Sequence, residues 1–254
     1  MAVAISLALA LVLFGVLFAF VQLGRRVGAS REQSGPSRGA VAVEGAIFAL
    51  MGLLIAFTFA AAQGRLDMRR KLLIDEANAI GAAYLRVDLL PAAAQPELRS
   101  DFRAYVDERI AYYKQFWQGR ADDADRARVV ALGQQIWRHT TAAVEASRDP
   151  RVPSMLIPSV NEMIGLERAR VAARHIHAPV AIFALLIVLA FACAVFAGIG
   201  MGRRSIESRL YPLAFATLLT ITVMVIIDIE FPRGGFIRID ALDSLLVEVR
   251  AGMN

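Results

Sequence analysis

The sequence predicts an all-α polytopic membrane protein: four transmembrane helices, with a helical extramembrane domain inserted between helices 2 and 3. Three observations carry that prediction. The 254 residues are 57% hydrophobic and only 20% charged, with a mean hydropathy of +0.52, whereas an average soluble domain is about 45–50% apolar and about 25% charged. The apolar residues gather in runs nearly free of charge, at 2–22, 41–62, 179–202 and 211–227, each close to the roughly 20 residues that a helix needs to cross a bilayer. Between the second and third runs, the chain is dense in Arg, Asp and Glu, and its apolar residues recur at helical spacing. That distribution excludes an ordinary soluble enzyme, a disordered chain and a secreted disulfide scaffold. The one cysteine, Cys193, lies inside the third run and has no partner for an intrachain disulfide.

The first run has no Lys or Arg in residues 1–10 and exceeds the length of a typical signal-peptide core, so it reads as a retained transmembrane helix. A polar connection with Gly, Ser, Pro36 and Arg follows. The second run meets no strong breaker before Pro91, and beyond the membrane it continues with Leu66, Leu73, Ala77, Ile80, Tyr84 and Val87 on one helical face. One helix of roughly 50 residues, about 75 Å long, would leave the bilayer as a stalk. Pro91 and Pro96 end it. Two amphipathic helices are expected over 97–118 and 122–147, the second opening on acidic residues suited to a helix N-terminus. A break at 149–153 precedes a helix over 155–177 that returns to the membrane. The expected domains are therefore 1–62 (transmembrane helices 1 and 2), 63–177 (a helical extramembrane bundle), 178–230 (transmembrane helices 3 and 4) and 231–254 (an amphipathic C-terminal tail).

The formal net charge is +5. The basic residues sit beside the apolar runs, at Arg25 and Arg26, at Arg69, Arg70 and Lys71, and at Arg203 and Arg204. Cations in those places anchor helix ends against anionic headgroups, which makes the lipid bilayer the partner and not nucleic acid. Basic loops border both membrane faces, so the positive-inside rule does not choose an orientation.

Charge at membrane depth is costly, about 2.5–3.5 kcal/mol on insertion scales, which directs attention to Glu44, one turn inside the second span. With Phe48, Met51, Ile55 and Phe59 it forms a single-faced stripe. An acidic mouth above large apolar side chains suits a cation-attracting, hydrophobically constricted ion pathway. The same residues also suit plain packing, with Glu44 reaching back to the interface. A second stripe on that helix is small: Gly45, Ala49, Gly52, Ala56 and Ala60. The third span repeats it with Ala190, Ala194, Gly198 and Gly202. Small residues at this spacing let helix backbones approach closely, within a subunit or between subunits. Asp228 and Glu230 close the fourth span. At i and i+2 they do not face each other, so they are expected to be structural partners of Arg side chains more than a joint ion site. Three histidines, with no nucleophile elbow, phosphate loop or zinc-binding helix motif, give no catalytic constellation. No enzymatic activity, metal or cofactor is expected.

The segments Glu44…Phe57-Thr58-Phe59…Arg69-Arg70…Asp75-Glu76-Ala77-Asn78-Ala79-Ile80 and Asp228-Ile229-Glu230-Phe231-Pro232-Arg233-Gly234-Gly235-Phe236-Ile237 resemble the bacterial bestrophin-like domain family from about Val41 onward. The family is named for its similarity to bestrophins, pentameric ion channels whose second transmembrane helix lines the pore. The resemblance implies a multi-pass protein of the bacterial inner membrane, a homo-oligomer (a pentamer), and an apolar neck at Phe48, Ile55 and Phe59. The chain departs from true bestrophins in lacking a Pro-Pro-Gly segment before that span and an acidic cluster for calcium. Two functions are expected: a homo-oligomeric ion channel with its pore along the second span, or a non-conducting membrane-anchored sensor or scaffold whose helical domain binds a partner.

Overall fold

The computed structural model describes residues 2–30, 38–203, 210–231 and 244–253, and among them every regular element is helical. The helices are α1 (Ala2–Ala29), α2 (Arg38–Arg86), α3 (Gln95–Trp117), α4 (Asp123–Glu145), α5 (Val152–His175), α6 (Val180–Arg203), α7 (Leu210–Glu230) and α8 (Ser244–Ala251), with a 3-10 turn at Val87–Leu89. Four of these segments are long and apolar enough to cross a membrane: Ala4–Ala29, Gly39–Leu89, Val152–Gly202 and Leu210–Glu230. They expose large apolar side chains that water would not tolerate in such number, among them Leu11, Val180 and Leu218. Of the polar connection expected over 24–40, α1 takes in 24–29 and α2 begins at Arg38, because no proline or other strong breaker interrupts 24–29; residues 31–37, 204–209 and 232–237 lie outside the described residues.

Packing divides the chain into two units. The first comprises Met1–Leu66 and His177–Arg238. Its core joins Leu17 and Val21 of α1, Met51 of α2, Leu186 and Cys193 of α6, and Ala216 and Val223 of α7. Phe20 stacks on Phe191 with centroids 4.8 Å apart. α2 meets this core through side chains: Met51, Thr58 and Ala62 are buried, with Ile47 and Leu54 half-buried against the cluster.

The second unit comprises Asp67–Ile176 and Ile239–Asn254. α2 contributes Ala77, Ile80 and Tyr84 to its core, and Leu73 is buried on the same face. α2 is 49 residues long and ends at Arg86, ahead of Pro91, where the 3-10 turn takes over. α3 starts with Pro96 in its first turn, where the missing N–H costs nothing. The turn to α4 passes through Gly119, whose φ of +69° disfavours a side chain. α4 is capped reciprocally: the Asp125 N–H donates to the Asp122 carboxylate at 2.8 Å, and the Asp122 N–H donates back to Asp125 at 3.1 Å. Pro158 sits inside α5 without ending it.

α8, within the stretch expected as an amphipathic C-terminal tail, belongs to the second unit, with Leu246 buried in the same core as Phe102 and Tyr105. Arg250 donates to both carboxylate oxygens of Asp107 on α3, at 2.8 and 3.1 Å. The apolar face of so short a helix is stable only when it is covered, and α3 supplies the cover.

Candidate functional site

In the first unit, the Glu44 stripe does not share one environment. Met51 is only 4% exposed and packs into the core of its own bundle, and Ile55 is half-buried beside it. Glu44 is half-buried, whereas Phe48 and Phe59 are exposed. Phe48 makes an edge contact with Phe215 of α7 at 6.4 Å between centroids. The small stripe, Gly45, Ala49, Gly52, Ala56 and Ala60, lies on a different face of α2 and is exposed throughout. A Cβ placed on Gly45 or Gly52 would meet nothing within 4 Å.

The small residues of α6 are used differently. Ala194 is fully buried, and Gly198 and Gly202 press on the backbone of α1. A Cβ on Gly198 would lie 2.1 Å from the Val21 carbonyl oxygen, and one on Gly202 would lie 2.3 Å from that of Arg25. The contact is reciprocal: Cβ atoms on Gly24 and Gly28 would lie 2.2 Å from the Val195 oxygen and 2.3 Å from the Ile199 oxygen. Gly24 and Gly28 were not singled out from the sequence, although their spacing of four repeats that of Gly198 and Gly202. Backbone atoms cannot rotate away as a side chain can, so the substitution Gly198→Ala is expected to cost about 1–3 kcal/mol of stability. Thermal unfolding in detergent, followed by circular dichroism, measures it, with Gly15→Ala on α1, where a Cβ would meet nothing within 4 Å, as the control that costs nothing.

Where α2, α6 and α7 reach one end of this bundle, Glu230 is fully buried. It accepts from Arg65 Nη2 at 2.6 Å and Nε at 2.9 Å, and from the Ala178 N–H at 3.0 Å. His177 Nδ1 lies 3.5 Å away, and the His177 ring stacks on Phe231 at 4.8 Å. Of the arginines the sequence offers as partners, Arg233, Arg238 or one from a neighbouring element, the first two lie outside the described residues; among the described residues Arg65 of α2 pairs with Glu230. Asp228 is half-buried on the same helix and, two residues away, points to another side. Beside this node lies a cavity of about 240 Å³ walled by α2, α6 and α7.

The second unit holds a buried ionic node that sequence reasoning missed. Both carboxylate oxygens of Glu76 are engaged, one by Arg109 of α3 and the other by Arg170 of α5. All three side chains are at most 9% exposed. The Tyr113 ring lies between the two guanidiniums, 4.7 Å from that of Arg109 and 4.1 Å from that of Arg170. Burial alone would push the Glu76 carboxyl up, but the Arg109 and Arg170 charges outweigh it and hold the group below the ordinary carboxylate range. Burial pushes the Tyr113 hydroxyl up to about 12, so it stays protonated. Glu167 adds a second carboxylate 3.9 Å from Arg109 Nη1. Spacing is the signal that could have found this node. Glu76 falls between Leu73 and Ile80, and Arg109 between Tyr105 and Tyr113, each on the apolar face of its helix.

A family model described as Bestrophin-like domain matches residues 4–242 of the chain. No curated protein and no solved structure matches it.

Proposed function

The chain belongs to the bestrophin-like domain family and is a membrane protein; from that premise we propose that it assembles as a homo-oligomer, five copies by resemblance, and conducts ions along a pathway lined by α2 in a bacterial inner membrane. The observation that carries this reading is the exposed face of α2, where Gly45, Ala49, Gly52 and Ala56 lie bare among the described residues and Phe48 and Phe59 are exposed. A long apolar helix that leaves small residues bare along its length suits close approach by a second helix. In this reading Met51 and the inner side of Ile55 hold α2 against its own bundle. Glu44, Phe48, Ile55 and Phe59 face the pathway, with the carboxylate favouring cations and the rings forming the constriction. No catalytic step, metal or cofactor enters it.

Current across planar bilayers containing the purified protein tests the proposal. Glu44→Gln is expected to reduce the cation-to-anion permeability ratio, and Phe59→Ala to raise single-channel conductance. A pathway bordered by one helix per subunit requires several subunits, so a monomeric or dimeric mass in detergent, together with silence at every salt and voltage, would overturn the proposal in favour of a non-conducting sensor or scaffold.

A further inference from the structure

The geometry points to a phospholipid site in the first unit: an acyl chain in the cavity between α2, α6 and α7, with its phosphate at Arg65. The walls are Leu54, Phe57 and Ala61 of α2, Ile182 and Phe183 of α6, and Ile226 of α7. Thr58 also lines it, but its hydroxyl already donates within α2, to the carbonyls of Leu54 at 2.7 Å and Ile55 at 3.0 Å. With that hydrogen spent, the other described side chains in the body of the cavity are all hydrocarbon. A dry apolar cavity of about 150 Å³ already takes up benzene, and this one is about 240 Å³.

Two further observations select a lipid over other apolar guests. The cavity lies where the second apolar run ends, the third begins and the fourth ends, and Phe57 in its wall is 64% exposed. An exposed ring at the end of an apolar span meets lipid and not water. Among the described residues, the one charged side chain in the lining is Arg65, which spends Nε and Nη2 on Glu230. A guanidinium has five N–H donors, and no described residue accepts from Nη1 of Arg65. Glu230 is itself turned to Arg65 and the Ala178 N–H, so its charge is met. A carbon-lined slot with cationic donors at its interfacial end matches an acyl chain joined to a phosphodiester.

Native mass spectrometry of the full chain in detergent, titrated with palmitoyl-oleoyl phosphatidylglycerol, tests the site. Wild type is expected to bind it saturably. Ala61→Phe, which fills the slot without changing charge, is expected to weaken binding about tenfold, equivalent to about 1.4 kcal/mol. Ile182→Phe fills it from the opposite wall and keeps the test decisive if the first variant loses helicity. Leu218→Phe, on an exposed part of α7, is expected to bind like wild type. Non-saturating uptake by wild type, or equal affinity in all four proteins, overturns the proposal. So does a lower oligomer mass in the filled variants with lipid affinity unchanged, which would assign the slot to a second copy. Affinity for inorganic phosphate equal to that for the lipid would likewise overturn it.

Discussion

Glu76→Ala is expected to lower the stability of the second unit by about 3–5 kcal/mol, the cost of leaving a buried charge without its partner. The substitution takes the close carboxylate from two buried cations at once, Arg170 at 9% side-chain exposure and Arg109 at 1%, leaving Arg109 with Glu167 at 3.9 Å. Chemical unfolding of the full chain in detergent, read from Trp137 in the same unit, measures the loss. Replacing Glu76, Arg109 and Arg170 together by apolar residues of similar size is expected to restore most of it, because a buried ion pair and a well-packed apolar substitute are often close in stability. Acid offers a second readout. The folded carboxyl titrates below its ordinary value near 4.5. The stabilisation it contributes is therefore fully present above that value and is lost as pH falls through the lower, folded one. Wild type is expected to lose stability there more steeply than Glu76→Ala.

Arg65→Met is expected to destabilise the first unit by about 3 kcal/mol, since Glu230, fully buried, would lose the guanidinium that meets its charge and keep the Ala178 N–H and the more distant His177 among its described partners. Arg65 itself is 19% exposed, which places the effect at the lower end of the range for buried pairs. The double variant with Glu230→Met is expected to be more stable than Arg65→Met alone, and the non-additivity measures the pair. Thermal unfolding of the four proteins in one detergent completes that cycle. If the double variant is as unstable as the sum of the singles, Arg65 and Glu230 do not act as a pair.

Much of the architecture was legible without coordinates. The long charge-free runs need only length and composition, because a bilayer accepts few alternatives to a helix whose backbone satisfies itself. The length of α2 was legible for the same reason: nothing in it breaks a helix before Pro91. The stripes on α2 were legible as stripes, since positions three and four apart share a face. Their surroundings were not. Phe48 and Met51 are nearly aligned by periodicity, yet Met51 is inside the bundle and Phe48 at its edge. Gly52 and Gly198 look alike in sequence, yet one faces open space and the other a carbonyl at 2.1 Å.

The sequence by itself determined the membrane class, the apolar spans, the helical character of the polar region and the family to which the chain belongs. Each of these rests on local composition or on periodicity within one element. Only the tertiary structure decided which face of α2 is covered, that α8 docks on α3, and which cations hold Glu76 and Glu230. The physical reason is distance along the chain. Glu76 reaches Arg109 across 33 residues and Arg170 across 94, and Arg65 reaches Glu230 across 165. Helical periodicity announces that a charge must be buried. The choice among the many cations able to meet it belongs to the packing of helices that are remote in sequence.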